Sequence, residues 1–183
     1  MAMLEQRIQQ QFFESADLQY QAAEVLARPM ADATAALLVA LTGGGKVLVC
    51  GSGAGAALAP HMARLLTGRY ERERPPLAAL ALLPGPESAQ QVRALGLPGD
   101  VLLYIDDGEG HSTMVISAAQ AKDMTIVVVA GRGAQAFGEL LAETDVLVAV
   151  PHERAARVAE LQLLVLHGLC DALDFQLMGD QAP

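Results

Sequence analysis

Five short apolar segments constrain the fold of this chain more than any other feature of its sequence. Each is five or six residues long, and helical stretches separate them. Segments that are apolar on both faces are typical of strands inside a parallel sheet. They comprise residues 46–50, 77–82, 101–105, 125–130 and 146–150. Because parallel neighbours need crossover connections, this alternation predicts a three-layer αβα sandwich around a five-stranded, parallel, doubly wound sheet.

Apolar residues at steps of three and four mark the helices. Between and after the strands, helices are predicted at about residues 56–66, 87–94, 112–121, 134–141 and 152–177. Before the first strand the pattern predicts a pair of helices, the first ended by Arg28-Pro29 and the second stopped by the glycine run 43–45. We expect one domain over residues 1–183, with an N-terminal helical pair within 1–42 and an α/β core over 46–177.

The N-terminal helices and the last helix carry a wide apolar stripe. It is wider than one small domain readily covers, and association of copies through a helical bundle would bury the remainder. We therefore expect a homo-oligomer, preferably a homotetramer, that uses the 1–42 pair. Near the end of the last helix, three apolar residues are interpreted as either packed against a neighbouring element or exposed as a protein-docking patch: Phe175, Leu177 and Met178.

Charge and composition exclude several classes of partner. The chain is 52% hydrophobic, and its 21 acidic residues outnumber its 12 Lys and Arg for a net charge of −9. Direct nucleic-acid binding is not expected, because it draws on basic surface. No uncharged apolar run approaches the roughly 20 residues of a membrane span, and the N-terminus has no apolar signal region. The two cysteines lie in apolar segments without a CxxC spacing, so we expect a cytoplasmic protein with reduced thiols.

A glycine-rich turn, residues 51–55, follows the first predicted strand and precedes a helix. Backbone N–H groups at such a helix start carry partial positive charge and bind anions. Ligands of doubly wound folds gather at the carboxyl ends of the strands, where a second turn also lies after the third strand. The candidate ligand-binding residues on these two turns are Gly51, Ser52, Gly53, His111 and Ser112.

The second turn, residues 106–111, is acidic: it holds Asp106, Asp107 and Glu109 beside His111. Two unit charges about 5 Å apart at an effective dielectric of about 20 repel by roughly 3 kcal/mol, so a dianion is disfavoured here. Two interpretations stay open. The carboxylates form a solvated turn near a helix N-terminus, or they hold Mg²⁺ or Mn²⁺ through oxygen ligands.

Several longer stretches resemble a known family. They are KVLVCGSG at 46–53, His61 with TGRYERERP at 67–75, QVRALG at 91–96 with GDVLL at 99–103, DMTIV at 123–127, and residues 154–171. Together they resemble the sugar isomerase (SIS) domains, in particular the branch that holds phosphoheptose isomerase and the DnaA initiator-associating protein. The resemblance covers nearly the whole chain and implies the same αβα fold.

For the enzymes of that branch, the resemblance implies aldose–ketose isomerisation of sedoheptulose 7-phosphate by a histidine and a glutamate of a zinc site. His61 and His167 match the two family histidines, and are candidates either for metal ligands or for structural histidines of apolar helices. Leu65 stands at the glutamate and Ala159 at a glutamine ligand. Leucine neither binds zinc nor moves a proton. We therefore expect no cofactor, with zinc as the alternative.

The phosphate contacts that the resemblance implies are altered as well. Gly55 stands where the first family loop has a hydroxyl, the acidic turn 106–111 replaces a Ser/Thr-rich loop, and Ala155 replaces a threonine before the last helix. The loop after the second strand is shortened to residues 83–86. Residual binding of a sugar phosphate at the glycine turn stays open.

These losses predict a non-catalytic SIS-domain adaptor that resembles the DnaA initiator-associating protein and acts in DNA replication initiation. A symmetric oligomer would gather copies of DnaA by multivalency, and an acidic surface suits a basic partner. The alternative is a phosphoheptose-isomerase-like enzyme, or a domain that binds a sugar phosphate or another carbohydrate derivative, with a divergent site.

Overall fold

A computed structural model describes residues 1–108 and 112–180 of the chain and contains the predicted sheet. Its five strands are all parallel and lie in the order β2-β1-β3-β4-β5. The strands are β1 Val47–Gly51, β2 Ala79–Ala81, β3 Val101–Asp106, β4 Thr125–Ala130 and β5 Val146–Ala149. The α-helices are α1 Ala2–Thr42, α2 Gly53–Thr67, α3 Glu87–Leu95, α4 Ser112–Gln120 and α5 Ala155–Met178, with a 3₁₀ helix at Ala134–Glu139. The predicted αβα fold class is confirmed.

Side chains alternate between two hydrophobic cores, one on each face of the sheet. Val47 and Val49 on β1 point toward a core shared with α1, α2 and α5. Leu48 and Cys50 point toward a core shared with α3, α4 and the 3₁₀ helix. Both faces of β1 and β3 are therefore fully covered, which explains why these segments are apolar at nearly every position.

The strand order reverses direction beside β1. The connection after β1 leads outward to β2, whereas β3 lies on the other side of β1 and the chain continues from there to β4 and β5. In the register of β1 and β3, Gly51 lies opposite Ile105. The turns that leave these two strands are therefore neighbours at the carboxyl edge of the sheet, where doubly wound folds bind ligands.

The predicted N-terminal pair of helices is wrong, because α1 runs unbroken through Pro29 for 41 residues. Proline removes one backbone hydrogen bond from a helix interior. Leu26 before it, and Ala33 and Leu37 after it, are all buried against the same core, so packing holds both halves on one axis. The Thr34 hydroxyl also donates to the Met30 carbonyl, 2.8 Å away, just after the proline.

Other element ends differ from the sequence prediction by a few residues. Strand β4 is confirmed to the residue, whereas β2 keeps only three of its six predicted residues. This edge strand pairs with β1 alone, and its side chains are partly exposed. The predicted helix 134–141 is a shorter 3₁₀ helix that follows Gly133, whose φ of 80° is left-handed.

By length and composition alone, helix α1 is long and apolar enough to cross a membrane. Core helices of water-soluble folds share these two properties. Residues of α1 are buried against α5 and the sheet, as Leu26 and Leu37 illustrate.

A buried ion pair joins the segment before β2 to the helices. Arg74 Nε donates to Asp174 Oδ1 at 2.5 Å, and both side chains are at most 3% exposed. The other guanidinium nitrogens of Arg74 donate to the carbonyls of Leu65 and Leu66, at 2.7 and 2.8 Å. Arg74 thus satisfies the carboxyl end of α2 and neutralises a carboxylate of α5.

The substitution Arg74→Met should lower the free energy of unfolding by about 3–5 kcal/mol, since it leaves the Asp174 carboxylate buried and unpaired. Urea unfolding measures this loss. Arg69→Met is the matched control, because Arg69 pairs with Glu73 on the exposed surface, and such pairs contribute at most about 1 kcal/mol. Equal stability of the two variants would contradict the role of the buried pair.

Candidate functional site

The glycine turn and the acidic turn are joined by Ser52. Its Oγ lies 3.0 Å from Asp106 Oδ1 and 2.9 Å from Asp107 Oδ1. The backbone N–H of Ser52 donates to the Ile105 carbonyl at 3.0 Å. A Cβ on Gly51 would lie only 2.4 Å from that same carbonyl oxygen. Glycine is therefore required where β1 leaves the sheet, and Ser52 is held directly over the end of β3.

The carboxylate of Asp107 lies at the N-terminus of α2. The Ala54 N–H donates to Asp107 Oδ2 at 3.0 Å, and a Cβ on Gly53 would lie 1.5 Å from that oxygen. Gly53 also has a left-handed φ of 44°. The glycine thus makes room for a carboxylate at the positive end of the helix dipole. The predicted anion-binding turn therefore contacts a carboxylate of the chain itself. The interpretation of a solvated acidic turn is wrong for Asp106, which is 3% exposed.

The third glycine of the turn approaches the sheet backbone even more closely. A Cβ on Gly55 would lie 2.2 Å from the Ile105 carbonyl oxygen and 2.9 Å from its side chain. A residue with a side-chain hydroxyl, which the resemblance implies at this position, would require the backbone to shift. The loss of that hydroxyl is therefore built into the packing of α2 against β3.

A pocket of about 220 Å³ opens beside the glycine turn. It is lined by turn residues 51–53, by Pro84 and Gly85 of the loop after β2, and by Ser88 and Tyr104. The pocket is small and hydroxyl-bearing, and it borders the Ser52–carboxylate network. It is large enough for part of a small polar ligand.

Asp106 is a buried carboxyl group at the end of β3. Burial raises the pKa of Asp106 above its ordinary value, and the charge of Asp107 raises it as well, against hydrogen bonds from Ser52 and Gly108 that lower it. Its backbone carbonyl accepts a hydrogen bond of 2.6 Å from Gln162 Nε2, which reaches in from α5. Gln162 was not predicted as a site residue, because nothing in the sequence pattern marks a glutamine on an apolar helix as a link to a strand end.

His61 on α2 and His167 on α5 form a direct pair. Their Nε2 atoms lie 3.0 Å apart, so one ring donates a proton and the other accepts it. The ring of Tyr70 lies 5.4 Å from that of His167. Burial lowers the pKa of His61 below its ordinary value, and the neighbouring His167 and Arg64 lower it further. The lowered pKa favours the neutral imidazole of His61, which can exchange a proton with a ligand.

The donor set around this pair does not fit zinc. Zinc sites in proteins use three or four side-chain ligands, and the described residues contain no group of three His, Cys, Asp or Glu that could hold a metal. Leu65, at the position of the implied glutamate, is 4% exposed and belongs to the hydrophobic core. Ala159 has no side-chain donor. The imidazoles are each other's partners instead.

Part of the acidic turn lies outside the described residues, namely residues 109–111, which include the predicted site residue His111. Ser112 is the first residue of α4. The proposed Mg²⁺ or Mn²⁺ site stays a prediction, because it needs Glu109 or His111.

The C-terminal residues Phe175 and Leu177 are 48% and 37% exposed on the single chain, while Met178 is half-buried.

Comparison with known proteins decides the family. A family model described as the SIS domain matches residues 11–131, well over half of the chain. The chain belongs to the SIS domain family. It is 51% identical to a phosphoheptose isomerase from Methylibium petroleiphilum, over 99% of this chain and 98% of the relative. A phosphoheptose isomerase from Azoarcus sp. is 43% identical, over 94% and 96% of the two chains.

Solved structures agree with this placement. Phosphoheptose isomerase from Neisseria gonorrhoeae superimposes with a TM-score of 0.83 at 34% identity, over 93% of this chain and 98% of the other. A phosphoheptose isomerase from Francisella tularensis superimposes with a TM-score of 0.84 at 30% identity, over 95% of this chain and 99% of the other. The predicted resemblance to the phosphoheptose isomerase branch is confirmed.

The same relatives overturn the functional prediction. A non-catalytic adaptor is not what they support, since relatives of up to 51% identity over the full chain carry the name of an enzyme. The prediction gave too much weight to single positions such as Leu65 and Gly55 and too little to the His61–His167 pair, which the fold keeps together. Association with DnaA stays an expectation from the sequence alone.

The raised pKa of Asp106 predicts how stability depends on pH. An acid whose pKa is higher in the folded chain loses stabilising effect as pH rises from its ordinary pKa through the raised value. The stability of the wild type relative to Asp106→Asn should therefore fall as pH rises from about 4 through the raised pKa and then level off. Thermal unfolding of both proteins across this range measures the difference. A difference that grows with pH would contradict the burial effect.

Proposed function

We propose that this SIS-domain protein is a sugar-phosphate isomerase with a divergent site, and that its substrate is a heptose phosphate. The relatives named phosphoheptose isomerase support the reaction class. The observation that carries the proposal is the His61–His167 contact, because it provides two proton-transfer groups 3.0 Å apart at a partly exposed position between α2 and α5. Sedoheptulose 7-phosphate is the substrate that the sequence resemblance implies.

Isomerisation of a ketose to an aldose requires two proton movements. A proton leaves the hydroxyl-bearing carbon beside the carbonyl and returns to the former carbonyl carbon, while a second proton passes from that hydroxyl oxygen to the carbonyl oxygen. A neutral imidazole can accept the carbon-bound proton and give it back. Its hydrogen-bonded neighbour can carry the proton between the oxygens. The lowered pKa of His61 keeps this ring neutral and able to accept a proton near pH 7.

Helix α2 connects the imidazole pair to the anion-binding turn. His61 lies eight residues beyond Gly53, which corresponds to a rise of about 12 Å along the helix. A substrate that spans this distance would place its phosphate near the positive end of α2 and its carbonyl near the imidazoles. An extended seven-carbon sugar phosphate is a molecule of this scale.

The substitutions His61→Gln and His167→Gln should each lower turnover of sedoheptulose 7-phosphate by about 10²–10⁴-fold, the usual contribution of general acid–base catalysis. A coupled assay that detects the aldose product measures the rate. His152→Gln is the control, since its Nδ1 only accepts the backbone N–H of Arg154 before α5. It should keep the wild-type rate.

Two results would oppose the proposal. Wild-type protein that binds the sugar phosphate but never forms the aldose would rule out isomerase activity on this substrate. A full rate in both His61→Gln and His167→Gln would place the chemistry elsewhere.

We also propose that copies of the chain associate through the exposed apolar side of α1. Leu4, Ile8 and Phe12 recur at four-residue steps on this helix and are 49–72% exposed on the single chain. Burying such a stripe against the same stripe of another copy is favourable. Sedimentation at micromolar concentration checks this, with an assembly expected for the wild type and monomers for Ile8→Glu/Phe12→Glu. A monomeric wild type would contradict it.

A further inference from the structure

We propose that Asp107 is an internal competitor for the phosphate of the substrate, and that its carboxylate lowers the affinity of the site for phosphate. The inference rests on the proposed function, because it assumes that an anionic end of the substrate approaches the glycine turn. It concerns a residue that stands where the resemblance implies hydroxyl side chains. The proposed effect on phosphate affinity therefore depends on a residue of this chain that the resemblance does not imply.

Asp107 contacts both donors at the start of α2. Asp107 Oδ2 accepts the Ala54 N–H at 3.0 Å, and Asp107 Oδ1 lies 2.9 Å from the Ser52 hydroxyl. These are the donors with which the start of α2 would hold a phosphate. A donor hydrogen that already serves a carboxylate is not free for another oxygen. Phosphate and the Asp107 carboxylate thus use the same two groups and exclude one another.

The Asp107 carboxylate also fills the space beside Gly53. The Oδ2 atom of Asp107 lies within 1.5 Å of where a Cβ on Gly53 would stand, so the carboxylate rests in the notch that the missing side chain leaves. A phosphate oxygen that enters this notch must displace the carboxylate. The Asp107 backbone also donates to Ser52 Oγ at 3.3 Å. This backbone contact does not involve the carboxylate, so displacing the carboxylate does not by itself break it.

The two carboxyl groups at this turn also oppose the binding of a dianion. Asp106 lies beside Asp107 at the end of β3, and both contact Ser52. A dianion near two carboxylates is repelled, and the low dielectric of a half-buried site increases that repulsion. Removing the charge of Asp107 weakens its hold on the two donors, because a neutral oxygen is a poorer acceptor than a carboxylate, and removes one source of repulsion.

The test is the dissociation constant of inorganic phosphate, measured by calorimetry for the wild type and for Asp107→Asn. Asparagine keeps the size of the side chain and an oxygen acceptor for Ala54, so the turn retains its structure. We expect phosphate to bind at least tenfold more tightly to the variant. Asp107→Ser, a smaller neutral side chain, should show the same direction. Glu24→Gln, an exposed substitution of equal charge change on α1, should leave the affinity unchanged.

Unchanged or weaker phosphate binding in both Asp107 variants, with their fold verified by circular dichroism, would overturn the inference. Turnover of sedoheptulose 7-phosphate by the wild type is measured alongside and reports on the proposed function separately. Turnover with no gain in phosphate affinity would remove the role of Asp107 and leave the isomerase. Tighter phosphate binding without turnover in any variant would support the competitor and remove the isomerase.

Discussion

The hydrogen-bonded contact between Ser52 and the acidic end of β3 is the constraint on which the rest of the site depends. Ser52 directly precedes α2, and its hydroxyl lies within hydrogen-bonding distance of the Asp106 and Asp107 carboxylates at the switch point of the sheet. Because Asp107 also accepts the Ala54 N–H, the positive helix end is neutralised from within the chain. The close approach of Gly51 and Gly55 to the Ile105 carbonyl leaves this arrangement little freedom to shift.

The two ends of helix α2 make different contacts. At its start the helix offers backbone donors to an anion, and near its end the Arg74–Asp174 pair anchors it to the core. His61 lies between, where α5 brings His167 within hydrogen-bonding distance. A buried ion pair adds little net stability, but it leaves few alternatives for how the helices pack. The separation of turn and imidazoles is thus fixed by helix geometry rather than by loops.

Periodicity predicted the sheet well because its central strands are covered on both faces. For β4, residues 125–130, the pattern alone gave the correct ends. It failed at Pro29, where the local cost of proline is smaller than the gain from packing both halves of α1 on one core. The candidate site was harder to predict than the sheet. The glycine turn and both histidines were named as candidates from the sequence. The contacts of Asp107 with α2 and of Gln162 with β3 are tertiary, and no spacing in the sequence encodes them. Leu65 was correctly seen as unable to bind zinc, but its place in the core showed only in the structure.

The central claim is that α2 carries one continuous sugar-phosphate site, from the turn now held by Asp107 to the imidazoles. A crystal structure with sedoheptulose 7-phosphate bound tests it most directly. The account predicts phosphate density on the Ala54 N–H and the Ser52 hydroxyl, the Asp107 carboxylate turned away from Ala54, and the sugar carbonyl beside His61 and His167. Density for the ligand elsewhere, with Asp107 still on Ala54 and the two imidazoles bonded only to each other, would contradict it.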